Sequence, residues 1–71
     1  MKSTVSNKLD NNIAKLRSRR KLSQQQLADE IGVSRKTIST IETGRFTPSV
    51  VIALNLAKFF EVSVEEIFEL L

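Results

Sequence analysis

The stretch Gln24–Thr43, QQQLADEIGVSRKTISTIET, restricts local structure more than any other part of the chain. It reads as two short helices joined by a tight turn. Ser23 is placed to cap the first, and Gln26 three residues later completes a capping-box spacing. Leu27, Ala28 and Ile31 make one apolar stripe on a helical period. Gly32 falls where a helix end needs a left-handed residue, a conformation only glycine takes without steric cost. Val33 is apolar inside the turn, so the turn itself must be packed, and Ser34 caps the second helix.

Projected at about 100° per residue, the second helix turns Ile38 and Ile41 inward with Thr37 and Glu42 beside them. Arg35, Lys36, Ser39, Thr40 and Thr43 fall on the other side. That outer face has cations at its N-terminal end, hydroxyls along it and no acid. A merely solvated face mixes signs; duplex DNA offers phosphates and base edges to such a set of donors.

These residues resemble the helix-turn-helix of the lambda-repressor-like (Cro/repressor, XRE-family) transcriptional regulators. The resemblance is carried by Gln24, Leu27, Ala28, Ile31, Gly32, Val33, Ile38 and Ile41, and by LR at 16–17, IETGR at 41–45, PS at 48–49 and VSVEEIF at 62–68. It covers roughly residues 9–70. It implies an all-α, compact five-helix DNA-binding domain, and a sequence-specific regulator of transcription, a repressor by expectation, that reads the major groove with helix 34–43 as a homodimer. It also implies that Arg17 and Glu42 form a partly buried ion pair tying the first helix to the second element of the motif. Arg35, Lys36 and Thr40 become the base-facing residues, with Ser39 near enough to join. Arg35 and Lys36 both donate to guanine O6 and N7. Phage repressors with glutamines at these places differ in residue type, so the DNA sequence read must differ too.

Seventy-one residues make one domain with a small core. The absence of cysteine and histidine removes disulfides, zinc and imidazole chemistry from consideration, and no cofactor is expected. The longest apolar run, Val50–Leu54, is too short for a membrane span or signal core, and a cytoplasmic location is expected. Charge is segregated. Residues 1–47 hold ten cations against four acids, a net +6, whereas residues 48–71 hold one against four, a net −3. A basic front half suits a face turned toward a polyanion.

In chain order, residues 1–8 read as a flexible leader, with an arm entering a DNA groove as the alternative. Residues 9–71 read as the domain. A first helix is expected from Leu9 or Asp10 to Arg20, ending in a cluster of Arg17, Arg19, Arg20 and Lys21. Arg19 and Lys21 are candidates for phosphate contact, against plain solvation. Further phosphate contacts are expected from Ser23, Gln24, Ser34, Thr43 and Arg45, at helix starts and in the loop after the motif. Phe46 in that loop is expected to plug the core, the other option being base stacking.

A fourth helix from about Ser49 to Phe60 buries Ala53, Leu56, Ala57 and Phe60, and a last helix begins after Ser63 with Glu66 completing its capping box. Val51, Ile52 and Phe59, with Ile67, Phe68, Leu70 and Leu71, exceed what so small a domain covers, and are assigned to a homodimer interface. Leu70 and Leu71 are otherwise a frayed end or the edge of a longer protein. The expected partners are a palindromic double-stranded DNA operator and a second copy, with the apolar patch open to another protein. An antitoxin or co-regulator using this fold mainly for protein contacts is the alternative. Catalysis is not expected: Glu65, Glu66 and Glu69 form the one acid cluster, with no nucleophile–base pair and no glycine-rich phosphate loop.

Overall fold

The computed structural model describes residues 8–71. Of the expected leader, 1–8, only Lys8 falls within them. Seven elements follow in order: β1 (Leu9–Asn11), α1 (Ile13–Arg19), α2 (Gln24–Ile31), α3 (Arg35–Glu42), α4 (Val50–Phe60), α5 (Val64–Ile67) and β2 (Phe68–Leu70). The architecture is the expected five-helix domain, with one small antiparallel sheet added.

The three central helix starts each carry a serine cap against fraying. Ser23, Ser34 and Ser49 stand in extended conformation, and their Oγ atoms accept from the N–H groups of Gln26, Thr37 and Ile52 at 3.0, 3.1 and 3.2 Å. Gln26 Oε1 accepts from Ser23 N–H at 2.8 Å, closing the capping box. Gly32, at φ 82°, ends α2 and lets Val33 N–H bond the carbonyl of Ala28.

Ile13, Leu27, Ile38, Ile41, Leu56 and Ile67 are fully buried, joined by Ala28, Ala57 and Phe60. One residue set from every helix therefore meets at a single centre. The two isoleucines of α3 hold that helix from behind, leaving its opposite side free. No helix among the described residues is long and apolar enough to cross a membrane.

The two ends of the chain correct the sequence reading. The first helix begins at Ile13, not at Leu9 or Asp10, because Leu9–Asn11 pairs with Phe68–Leu70 in the register Leu9–Leu70, Asp10–Glu69 and Asn11–Phe68. Two asparagines make the break. Asn11 Oδ1 accepts from Ile13 N–H at 3.2 Å while its Nδ2 donates to the carbonyl of Ile41 at 3.0 Å. Asn12 donates from its backbone to Ile67 O at 2.8 Å and from Nδ2 to Glu66 O at 3.1 Å. Such side chains compete with a helix for backbone partners. The last helix is correspondingly one turn long, and Phe68 is extended (φ −119°, ψ 138°) to enter the sheet.

Part of the expected dimer surface is core. Ile67 is 1% exposed and lies in the central cluster, while Ile52, Phe59 and Phe68 pack against that cluster half-buried. The reason is that α4 is contacted by both α2 and α5, so its buried face is wider than one stripe. Val51, Leu70 and Leu71 remain open, together with Val50 and Leu54, which the sequence reading missed. Phe46 is not a plug: it is 46% exposed.

Candidate nucleic-acid interface

The exposed side of α3 begins with its two cations. Arg35 and Lys36 are exposed, and Ser39 and Thr40 are half-buried along the same helix. Thr37, placed inward by the projection, instead opens outward. It lines a hollow of about 290 Å3 with Ser34, Lys36, Thr40, Arg45 and Phe46. Its Oγ1 lies 2.9 Å from Ser34 Oγ, so the cap and the first turn form one polar unit.

The loop after α3 is folded onto it. Gly44, at φ 77°, turns the chain so that Arg45 and Phe46 N–H both donate to the carbonyl of Thr40, at 2.9 and 3.2 Å. This brings Arg45 beside Lys36 and Ser34, residues that lie apart in sequence. The result is a concave, cation-rimmed strip with an aromatic ring at one edge. Thr37 and Phe46 are the members of this strip that sequence reasoning left out of the site. Phe46 carried a usable signal, a large apolar residue beside Arg45 in a loop.

Hydroxyl chemistry on the strip is narrower than composition implies. Thr40 Oγ1 donates to the carbonyls of Lys36 and Thr37, both at 3.0 Å. Thr43 Oγ1 donates to Ser39 O at 3.1 Å and Thr40 O at 3.2 Å. Each hydroxyl has one proton, and in both it serves the helix. What Thr40 and Thr43 offer outward is a methyl group and oxygen lone pairs. Ser23 and Ser34 accept helix N–H groups through their Oγ atoms.

The other flank of α3 is held by charge. Arg17 Nε lies 2.8 Å from Glu42 Oε2, and Arg17 Nη2 donates to Glu42 Oε1 at 3.2 Å. The hydrogen bonds that Arg17 donates to Glu42 raise the guanidinium pKa above its ordinary value against the opposing effect of burial, and the charge of Glu42 adds to the rise. Gln24, at the start of α2, is drawn into this pair: its Nε2 donates to Glu42 Oε1 at 3.1 Å, and its Oε1 accepts from Arg35 Nη1 at 3.3 Å. Its side chain is thus already engaged through both its Nε2 and its Oε1.

Two members of the basic cluster at the end of α1 stand elsewhere. Arg19 lines a separate hollow with Asn12, Lys15, Leu16, Val62 and Glu66, none of which belongs to α2, α3 or the loop after α3. Arg19, expected as a phosphate ligand, therefore lies apart from the strip that holds Ser34 and Arg45. Arg20 donates to the carbonyls of Phe59 and Phe60 at 2.9 and 3.1 Å, with its guanidinium 5.2 and 5.4 Å from the two ring centres. It closes the C-terminal end of α4, where carbonyls lack helical partners.

Comparison with other proteins identifies the family of this fold. Residues 13–67 match the family profile described as Helix-turn-helix. The chain is 43% identical over 60 residues to MJ0272, an uncharacterized HTH-type transcriptional regulator of Methanocaldococcus jannaschii, covering 84% of this chain and 91% of that protein. It is 37% identical over 60 residues to YgzD, another such regulator from Bacillus subtilis, with the same coverage of 84% and 91%. Among solved structures it is similar to the restriction-modification controller protein C.AhdI of Aeromonas hydrophila, with a TM-score of 0.71, 31% identity, and coverage of 78% of this chain and 83% of that one.

Proposed function

The chain belongs to the XRE-like helix-turn-helix family of transcriptional regulators, and from that premise we propose that it is a sequence-specific repressor acting on duplex DNA as a homodimer. The observation that carries the reading is the outer side of α3: two exposed cations at its start, no acid along it, and the fully buried Ile38 and Ile41 behind it. In the major groove, Arg35 and Lys36 read base edges, with Ser39 and Thr40 beside them, Thr40 through its methyl group. Arg45 holds the DNA backbone from the loop. Ser34 and Thr43 flank the strip, and beside Ser23 the backbone N–H of Gln24 meets a phosphate at the positive start of α2. These backbone contacts set register and the base contacts set sequence.

A second copy, seated against Val50, Val51, Leu54, Leu70 and Leu71, doubles the reading head and calls for half-sites about one helical turn apart, roughly 34 Å. Occupancy of such a site within a promoter excludes polymerase, which is repression, in the cytoplasm where the DNA is. The same exposed apolar residues favour one other reading, a co-regulator that docks on a protein and touches DNA only through charge. Titrating isotope-labelled protein with a selected duplex and a scrambled one separates the two. Shifts in the amides from Ser34 to Thr43 that differ between the duplexes support reading; no shifts, or identical ones, defeat it.

A further inference from the structure

Asn12, Lys15, Leu16 and Arg19 recur at i, i+3, i+4 and i+7, which sets them on one face of α1 and its cap. Val62 and Glu66 stand opposite, and the six together line a hollow of about 330 Å3. Its apolar floor is Leu16 and Val62, both half-buried and packed against the core. Its frame is fixed by Asn12. The Nδ2 of that residue donates to the carbonyl of Glu66 at 3.1 Å, and its backbone N–H donates to Ile67 O at 2.8 Å.

Charge in the hollow is unbalanced. Lys15 and Arg19 are exposed one turn apart, and among the described residues neither side chain forms an ion pair or a hydrogen bond. Like charges at this spacing repel. The one carboxylate in the lining, Glu66, is held at the start of α5, where its Oε2 accepts from Ser63 N–H at 3.0 Å. Arg17, between the two cations in sequence, is turned to Glu42 of α3. Two cations over an apolar floor complement an anion that carries an apolar body.

We propose that the hollow between α1 and the start of α5 binds a small organic anion, a carboxylate or phosphate head on an apolar body, of roughly ten non-hydrogen atoms in all. Arg19 presents its planar fork to the oxygens of the head and Lys15 adds a point charge. Leu16 and Val62 cover the body. Occupancy relieves the repulsion between the cations and stabilises the folded chain by mass action. The site lies apart from the α3 strip, so it stands or falls independently of base reading.

The test titrates the isotope-labelled full chain at low salt with phenyl phosphate, phenylacetate, inorganic phosphate and phenylethanol, following backbone amides by NMR. The expected result is saturable shifts at the amides from Asn12 to Arg19 and from Val62 to Glu66. Phenyl phosphate or phenylacetate should bind about tenfold more tightly than inorganic phosphate or the neutral alcohol; which of the two does so identifies the head. Lys15→Gln and Arg19→Gln should each weaken that binding about threefold or more. Lys58→Gln, which removes an exposed cation from α4, should leave it unchanged. All three positions are exposed, and circular dichroism confirms that the variants fold. No saturable shift with either organic anion overturns the proposal, as does binding of inorganic phosphate or the alcohol at equal strength. Equal affinities in all three variants, or shifts centred on α3 instead, overturn it as well.

Discussion

Arg17 and Glu42 meet through two parallel hydrogen bonds, at 2.8 and 3.2 Å, with side chains only 19% and 8% exposed. Through them α1 grips the C-terminal end of α3. A neutral glutamine at position 42 leaves the guanidinium half-enclosed without its counter-charge. Complete burial would make that loss larger, but the partial exposure of Arg17 moderates it. Glu42→Gln should cost about 2 kcal/mol and lower the melting temperature by roughly 10 °C, by the usual scaling for domains of this size. Thermal circular dichroism reads this directly. Replacing both partners, Arg17→Met with Glu42→Leu, should recover most of the loss; a double substitution as unstable as Glu42→Gln would mean that packing, not charge, holds the contact.

Left-handed backbone positions predict substitutions of opposite sign. Gly32 has φ +82° and, apart from its own atoms and its two chain neighbours, nothing within 4 Å of the point a Cβ would occupy, so alanine there meets strain without a tertiary clash. Gly32→Ala should destabilise by about 1 kcal/mol. Glu61 closes α4 at φ 58° with a side chain present, and relieving it by Glu61→Gly should stabilise by about 0.5 kcal/mol after the added freedom of the unfolded chain is subtracted. Urea melts of the two variants check the pair. Equal signs would remove backbone conformation as the cause.

Arg20 is exposed, yet it bonds two carbonyls at the end of α4 and lies over both phenylalanine rings, which themselves meet edge to face at 5.1 Å. Arg20→Ala should lower stability by about 1 kcal/mol, the charge-assisted bonds being discounted for exposure. It should leave the salt dependence of DNA binding unchanged, whereas a phosphate-contacting arginine would alter it. Urea melts and binding at two salt concentrations together decide between the roles.

The centre of the domain was legible in the sequence and its ends were not. Ser23, Gln26, Gly32 and Ser34 act within four residues of their own position, so spacing alone exposes α2, the turn and α3. Leu9 to Asn11 carry no local signal of a strand, since their partners, Phe68 to Leu70, lie at the far end of the chain and three residues show no period. Asn11 and Asn12 look like helix-start residues until their bonds to Ile41 and Glu66 are known. Within the site, Lys36 and Arg45 could be nominated from residue type, but their proximity depends on Gly44 folding the loop back onto Thr40. Arg19 and Arg20 were inseparable as text; packing sends one to the α5 side and the other to α4.

Val50, Val51 and Leu54 are 73%, 68% and 55% exposed on one helix, a concentration of apolar surface suited to burial against another chain. If a second copy covers it, Val51→Glu should shift the protein from dimer to monomer in sedimentation at micromolar concentration. At concentrations too low for parent or variant to pair, the melting temperature should not fall, because position 51 lies outside the core. DNA containing two half-sites should then be bound no more tightly than about the level of a single half-site. A monomeric parent protein, or an unaltered dimer in Val51→Glu, removes these residues from the interface.

The sharpest division lies between Arg35 and Arg45. Both are exposed cations flanking α3, but one stands at the helix start and the other in the loop bonded to Thr40. A base reader contributes energy only when the right base is present, so Arg35→Ala should lose about 1–3 kcal/mol on the selected site and relax the preference at one base pair. A phosphate ligand meets the same group on every sequence. Arg45→Ala should therefore weaken selected and scrambled duplexes alike and reduce the slope of log affinity against log salt by about one. Titrations of both variants on both duplexes at several salt concentrations give four slopes and four affinities. Matching losses for the two variants on both duplexes would show that neither residue reads sequence, and that α3 meets DNA through charge alone.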